Sequence, residues 1–258
     1  MNEASPGDHD RNLSAAFDGQ ASQFEKAPVQ TDPAALARLV RFADLPGSAS
    51  ILDAGCGPGL VSEVFAEAGH RVTGVDLSAE MVDRAGVRCA RFGDRARFAR
   101  QSLYDPIDGG PFDAAVSRYV LHHVAEPERF IGRQVELVRP GGVVILSDHT
   151  TDPDPARAEW HRDLEWARDR THTANYTAGR IADLMALAGL GELRLFEEPF
   201  TLDFDEWFDR GTPARPKDEV RDALLAGRSA RGFRPVAGSD GSITLHCWRA
   251  VVRGVVPS

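Results

Sequence analysis

Apolar and polar positions along this chain change their period repeatedly, and each change marks an element. Residues 13–42 carry helical spacing, interrupted at "KAPVQTDP". In "DPAALARLVRFADL", Leu36, Leu39, Val40 and Leu45 fall roughly on one helical face, with Asp32 placed to cap the helix and Pro33 in its first turn. From Ser50 onward, short apolar runs alternate with amphipathic ones. "SILDAG", "RVTGVDLS", "ARFARQSL", "FDAAVSRYV" and "GGVVILSDH" read as strands. "GLVSEVFAEAGH", "AEMVDRAGVRCARFG" and "PERFIGRQVELVRPGG" read as the helices among them, one capped by Ser78 and the last ended by a Pro-Gly-Gly turn. That alternation predicts a mostly parallel sheet with helices on both faces. Past Asp152 the rhythm loosens. Helical patterns at "DPARAEWHRDLEWARD", "TAGRIADLMALAGL", "FDEWFDRG" and "KDEVRDALLAGRSARG" are interleaved with strands at "LRLFEEPFTLD" and "GSITLHCWRAVVRG", which bring the expected sheet to seven strands.

Composition narrows the class. A chain of 258 residues that is 42% hydrophobic can bury a sizeable core, so disorder throughout is excluded. A net charge of -9 leaves no general basic excess to neutralise phosphates, which argues against nucleic acid as the partner. The 3 cysteines, Cys56, Cys89 and Cys247, are scattered without CxxC spacing and suit a reducing compartment. The N-terminus "MNEASPGDHDRN" lacks the apolar centre of a signal peptide, and no apolar run approaches a membrane span. A cytoplasmic protein, monomeric or homodimeric, is the expectation. Its chain divides into a disordered tail (1–12) and a single domain (13–258). Within the domain come an N-terminal helical segment (13–48), a core of alternating strands and helices (49–150), a looser region with the sixth strand (151–235) and a final strand (236–258).

The chemistry concentrates in "ILDAGCGPGL", where Gly55, Gly57 and Gly59 alternate between a strand and a helix. Such a turn lies at the carboxyl edge of a parallel sheet, where glycine permits a tight turn and lets a ligand approach bare backbone. The spacing is neither the dinucleotide fingerprint GxGxxG nor a phosphate loop with its Lys-Ser/Thr. Asp76 ends the next strand, roughly 20 residues on, where an acid can accept both hydroxyls of a ribose. A nucleoside without a diphosphate, carrying a polar tail at the glycine loop, fits this pair.

"ILDAGCGPG" followed by "VTGVDLSAEMV" resembles motifs one and two of the class I S-adenosylmethionine-dependent methyltransferases. The likeness continues through "FDAAVSRYVLHHVAEPERF" and "VRPGGVVILSDH". From about Ala15 onward it is similar to the branch related to ubiquinone and menaquinone biosynthesis. The resemblance implies a Rossmann-like α/β fold and methyl transfer from S-adenosyl-L-methionine, with S-adenosyl-L-homocysteine as product. The acceptor would be a small organic molecule, methylated on O, N or C. Gly55, Gly57 and Gly59 would line the methionine part of the donor, Asp53 its amino group, Asp76 the ribose, and Leu77 and Met81 the adenine. Cys56, Leu103 and Ser117 complete that set. Ser102 stands where relatives carry an acid for the adenine amino group, which is a departure from the pattern.

A sulfonium methyl needs no activation, so a base matters only where the acceptor must lose a proton. His122, His149 and His172 are the candidate proton carriers. Phe24, Arg118, Tyr119 and His122 are the candidate acceptor contacts. His122 and His123, adjacent in sequence, are expected to point apart, and no HxxxH or His-plus-carboxylate spacing stands out, so no metal is expected. Phe17 and Phe24 share a helical face and are placed to close over the donor, with plain packing as the other reading. Trp160, Trp166, Tyr176, Phe204, Trp207 and Phe208 are placed either to wall an apolar acceptor pocket or to form ordinary core. Methylation of nucleic acid or protein, or a donor-binding role without methylation, are the alternatives in function.

Overall fold

Strand β1, Ser50–Ala54, pairs in parallel on both sides, with β2 (Arg71–Asp76) and with β4 (Phe112–Arg118). This computed structural model describes residues 6–258. Strand β3 (Ala96–Arg100) extends the sheet beyond β2, and β5 (Val138–His149) extends it beyond β4, both in parallel. The chain then adds β6 (Gly191–Asp203), β7 (Phe233–Ala237) and β8 (Ile243–Val255), and β8 runs antiparallel to all its neighbours. The order is β3-β2-β1-β4-β5-β8-β6, with β7 also paired to β8, in a sheet of 8 strands. Chain direction across the sheet reverses between β1 and β4, so their carboxyl ends flank the crevice where open α/β sheets bind ligands.

Alternation within the strands sends successive side chains to opposite faces. Leu52, Ala115, Val144 and Val252 meet Ile131 of α6 (Pro127–Leu137) and Ile181 and Leu184 of α8 (Ala178–Leu187). Ile51, Ala114, Ile145 and Val251 meet Leu36 and Leu39 of α3 (Pro33–Ala43) and Phe65 of α4 (Leu60–Glu67). Asp32 accepts hydrogen bonds from the amides of Ala34 and Ala35, so α3 is capped as its sequence predicts. A third core lies beyond the sheet. It joins Leu164 of α7 (Pro155–Arg168), Trp207 of α9 (Phe204–Asp209), Leu224 of α10 (Lys217–Leu225), Phe233 and Leu245.

Several expectations change. The first helix, α1, spans Pro6–Phe24, so the tail expected over residues 1–12 is helical from residue 6; residues 1–5 lie outside those described. Proline is tolerated in a first turn, and this turn is too polar to show apolar periodicity. Strand β7 brings the count to one more than expected. It is short and contains Pro235, and among the described residues β8 is the one strand it pairs with, the edge setting in which proline is tolerated in a strand. Helix α6 stops at Leu137, and β5 already begins at Val138, before the Pro-Gly-Gly turn. The expected aromatic wall divides. Trp166 is exposed, Tyr176 packs on the sheet, and Trp160, Phe204, Trp207 and Phe208 join the third core.

Candidate active site

The turn after β1 is built by backbone strain that glycine relieves. Gly55, Gly57 and Gly59 have φ of 76°, 50° and 82°. The amides of Gly55 and Cys56 both donate to the Val75 carbonyl, folding the turn back over β2. A Cβ on Gly55 would stand 2.7 Å from Val120 Cγ2, and one on Gly59 would stand 2.9 Å from the Ala85 Cα. Gly59 therefore serves the close packing of α4 on α5 (Ala79–Cys89) and does not line the cleft. A Cβ on Gly57 would meet nothing within 4 Å, which leaves its backbone open to a ligand.

Asp76 is fixed by this loop. Its Oδ2 accepts the Gly57 amide at 2.9 Å and its Oδ1 accepts the Ser78 amide at 2.9 Å. Burial pushes its carboxyl up, against the pull of those amides. Asp53 is fully buried and accepts the Ser62 hydroxyl at 2.6 Å. Burial lifts its pKa to about 7, Ser62 pulls it down, and repulsion from Asp76 adds to the rise.

These residues form the floor of a cleft of about 460 Å³ at the ends of β1, β2 and β4. Asp53, Gly55, Cys56, Gly57, Asp76, Leu77, Met81, Ser102 and Leu103 all line it, as their sequence positions imply. Ser117 does not: it is buried next to Arg118 on β4, and successive strand residues face opposite sides, so with Arg118 on the cleft Ser117 turns away. Sequence reasoning missed Asp105, which also lines the cleft and accepts the Ser102 amide at 3.1 Å. A carboxylate thus stands beside the serine that departs from the expected pattern.

Helix α1 roofs the cleft. Leu13, Phe17 and Phe24 line it, with the Phe17 and Phe24 rings edge to face at 5.6 Å. Asp18 accepts the Ser78 hydroxyl at 2.6 Å, and Ser14 donates to the Leu77 carbonyl at 2.9 Å. Glu25 pairs with both Arg84 and Arg88 of α5, at 2.7 and 2.8 Å.

At the end of β4, Tyr119 adopts a φ of 58°, a costly conformation for a bulky side chain, and its amide donates to the Ser147 carbonyl. Its hydroxyl accepts from Arg249, which is buried and paired with Glu198 at 2.6 Å. Arg118 lines the cleft but is not free for a substrate carboxylate. Its guanidinium donates to the carbonyls of Val29 and Gln30, tethering the short helix α2 (Pro28–Thr31).

A second cavity of about 60 Å³ lies against the first, sharing Phe24, Gln30, Tyr119 and His123 with it. His122 and His149 line this inner cavity and not the main cleft. His172 lines neither and stacks on both rings, at 5.3 and 5.7 Å between centroids. His122 and His123 do not point apart: they end a single 3-10 turn with ring centroids 4.0 Å from each other.

The hub of the group is Asp148. Its Oδ1 lies 2.7 Å from His122 Nδ1 and 3.2 Å from His149 Nδ1, and it accepts the amides of both residues. Burial opposes its ionisation, yet His122 and His149 hold its carboxyl well below the usual range. Burial works against a charged His149, but Asp148, Glu165 and Asn175 together outweigh it and raise that pKa. Burial drives His172 and His123 well below their usual values, so both are neutral near pH 7. His122, Asp148 and His149 place donor atoms within 4.8 Å of one another, a His-plus-carboxylate grouping that linear spacing does not reveal. In this structure those atoms are engaged with one another.

A cleft of about 460 Å³ at the sheet's reversal point, floored by a strand-end acid and a glycine turn without a phosphate loop, sits in the α/β fold that solved methyltransferases share. The chain belongs to the methyltransferase domain family, whose sequence pattern matches residues 29–193. Over 110 residues it is 36% identical to the ubiquinone biosynthesis O-methyltransferase of Xanthomonas axonopodis pv. citri. That likeness covers 42% of this chain and 46% of the relative, less than half its length. The crystal structure of YcgJ from Bacillus subtilis shares the fold, with a TM-score of 0.76 and 21% identity over 86% of this chain and 98% of that one. So does 1,6-didemethyltoxoflavin-N1-methyltransferase from Burkholderia thailandensis, solved with 1,6-didemethyltoxoflavin and S-adenosylhomocysteine. Its TM-score is 0.61 at 20% identity, covering 100% of this chain and 93% of that one.

Proposed function

We propose that the protein transfers a methyl group from S-adenosylmethionine to a small organic acceptor. The observation that carries this reading is Asp76, held by the amides of Gly57 and Ser78 on the floor of a cleft of about 460 Å³. Each carboxylate oxygen keeps a lone pair for one ribose hydroxyl. Asp53 supplies a buried countercharge for the donor's ammonium, Gly57 opens its backbone to the methionine part, and Ser102 with Asp105 faces the adenine amino group. The donor supplies an already activated methyl. The residues therefore contribute alignment and exclusion of water, the second through the roof formed by Phe17 and Phe24.

The acceptor enters between Phe24 and Tyr119, which line both cavities. Where it must lose a proton, the His122–Asp148 pair takes it: Asp148 holds the Nδ1 proton and leaves Nε2 as the base. His149 and His172 fix that pair by hydrogen bonding and stacking. An inner cavity of only about 60 Å³ favours a small acceptor over nucleic acid or protein. The cysteines, all buried and unpaired, agree with a cytoplasmic location. Among the described residues no helix is long and apolar enough to cross a membrane. Calorimetric titration with S-adenosylhomocysteine is the first test. Stoichiometric binding that is lost in Asp76→Ala supports the reading, and absence of binding refutes it.

A further inference from the structure

Helix α7 turns His161, Glu165 and Arg168 onto one face by their i, i+4, i+7 spacing, and all three line the inner cavity. They are buried, at 1%, 4% and 7% exposure. His161 Nε2, Glu165 Oε2 and Arg168 Nε have no hydrogen-bond partner. The contacts among them are 3.4 Å for His161 Nε2 to Glu165 Oε1 and 3.4 Å for Arg168 Nε to Glu165 Oε2, ion-pair distances without hydrogen-bond geometry. Aromatic neighbours hold the group rigid. His161 stacks on Phe233 at 4.3 Å, and Arg168 lies over Trp207 while donating to its carbonyl.

Buried polar groups are rarely left unmade, so this face is built to receive something. The cavity, at about 60 Å³, has room for a few water-sized groups, the end of a molecule and not its body. Charge decides which end. Glu165 already faces Arg168, Arg210 faces Glu206 at 3.4 Å, and Asp148 faces His149. A carboxylate or ammonium brought here would be an uncompensated buried charge. What the wall still offers is one carboxylate oxygen to accept, one guanidinium N–H to donate and the Nε2 of His161, which does either according to its tautomer.

We infer that α7 reads a neutral head group that both donates and accepts hydrogen bonds, such as a carboxamide, a lactam or a hydroxyl beside a carbonyl, at the inner end of the acceptor. The inference rests on the methyltransferase reading above and names the acceptor's class. His161, Glu165 and Arg168 are then specificity residues, and the acceptor's ring or chain lies between Phe24 and Tyr119.

The test uses the full-length protein saturated with S-adenosylhomocysteine and titrated with 2-hydroxybenzamide and with 2-hydroxybenzoate. The two probes share ring and hydroxyl and differ in head-group charge. The amide is expected to bind at least about tenfold more tightly. Glu165→Gln should move the ratio toward the benzoate by about tenfold, because Arg168 then loses its nearer carboxylate and keeps only Asp169, at 4.0 Å, while Arg168→Gln should move it the other way. A merely structural role would weaken both probes together. Equal affinities, preference for the benzoate in the unaltered protein, no binding of either probe, or a ratio unmoved in both variants would overturn the inference. S-adenosylhomocysteine affinity measured on the same samples separates the two levels. If it is intact, only the acceptor class is at stake; if it is absent, the donor reading falls and takes the inference with it.

Discussion

Replacing Asp53 by Asn tests the electrostatics of the donor end most sharply. Its carboxyl is fully buried and lifted from 3.8 to about 7, chiefly by desolvation. If the ionised form holds the donor's ammonium, binding below pH 7 must first remove a proton. Apparent affinity then falls by the factor 1 + 10^(pKa − pH), about elevenfold at pH 6 and negligible at pH 8, so the two differ by about tenfold. The donor's own α-amino group loses its charge near pH 8, which places the optimum between about 7 and 8. Titration calorimetry with S-adenosylhomocysteine from pH 5.5 to 8.5 reads the profile directly. Asp53→Asn keeps the oxygen that accepts from Ser62 and should abolish the acidic limb.

Stability moves oppositely. An acid with a raised folded pKa costs stability as pH climbs from 3.8 toward about 7, so the Asn variant should gain up to about 4 kcal/mol above pH 7 and nothing below pH 4. A flat affinity profile between pH 6 and 7.5, or an acidic limb that survives in Asp53→Asn, would refute the reasoning.

Other consequences are as concrete. Gly59→Ala combines a φ of 82° with a Cβ 2.9 Å from the Ala85 backbone, and thermal or urea denaturation should show a loss of about 2–4 kcal/mol. His122→Gln and Asp148→Asn should each slow transfer to an O–H or N–H acceptor by about 100-fold or more, leaving S-adenosylhomocysteine affinity within about twofold. Loss of donor binding in either would remove the histidine from its assigned place. Glu25→Gln frees Arg84 and Arg88 from the roof and should weaken donor binding by a few-fold at low salt, an effect that fades at high ionic strength. If 0.5 M salt leaves that difference unchanged, Glu25 does not hold the roof.

Most of the parallel sheet and nearly the whole floor of the main cleft are legible in the chain, because both are local. A strand, a glycine turn and a strand-end acid sit within "ILDAGCGPG" and "VTGVD", and short, nearly continuous apolar runs announce β1, β4 and β5, as in a parallel sheet covered on both faces. At Gly59 the sequence shows that a glycine is needed, not whether the intruding atom would be a ligand or, as in the structure, Ala85. Asp105 was missed because a turn, not a strand register, brings it beside Ser102. The inner cavity is the least legible. His122, Asp148, His149 and His172 converge from separate segments, and no linear spacing encodes that meeting. His161, Glu165 and Arg168 look like one polar stripe of a surface helix until β7 and α9 bury them. Strand β7, which closes that cavity through Phe233, is short and interrupted by Pro235, so no period marks it.

Methyl transfer itself is the most direct test. Purified protein is incubated with S-adenosylmethionine labelled in its methyl group and with extract of the source organism, Asp76→Ala serves as control, and products are separated by size. Label should enter a small compound and vanish with the variant. Label in RNA or protein, or donor binding without transfer to any small compound, would contradict the proposed function.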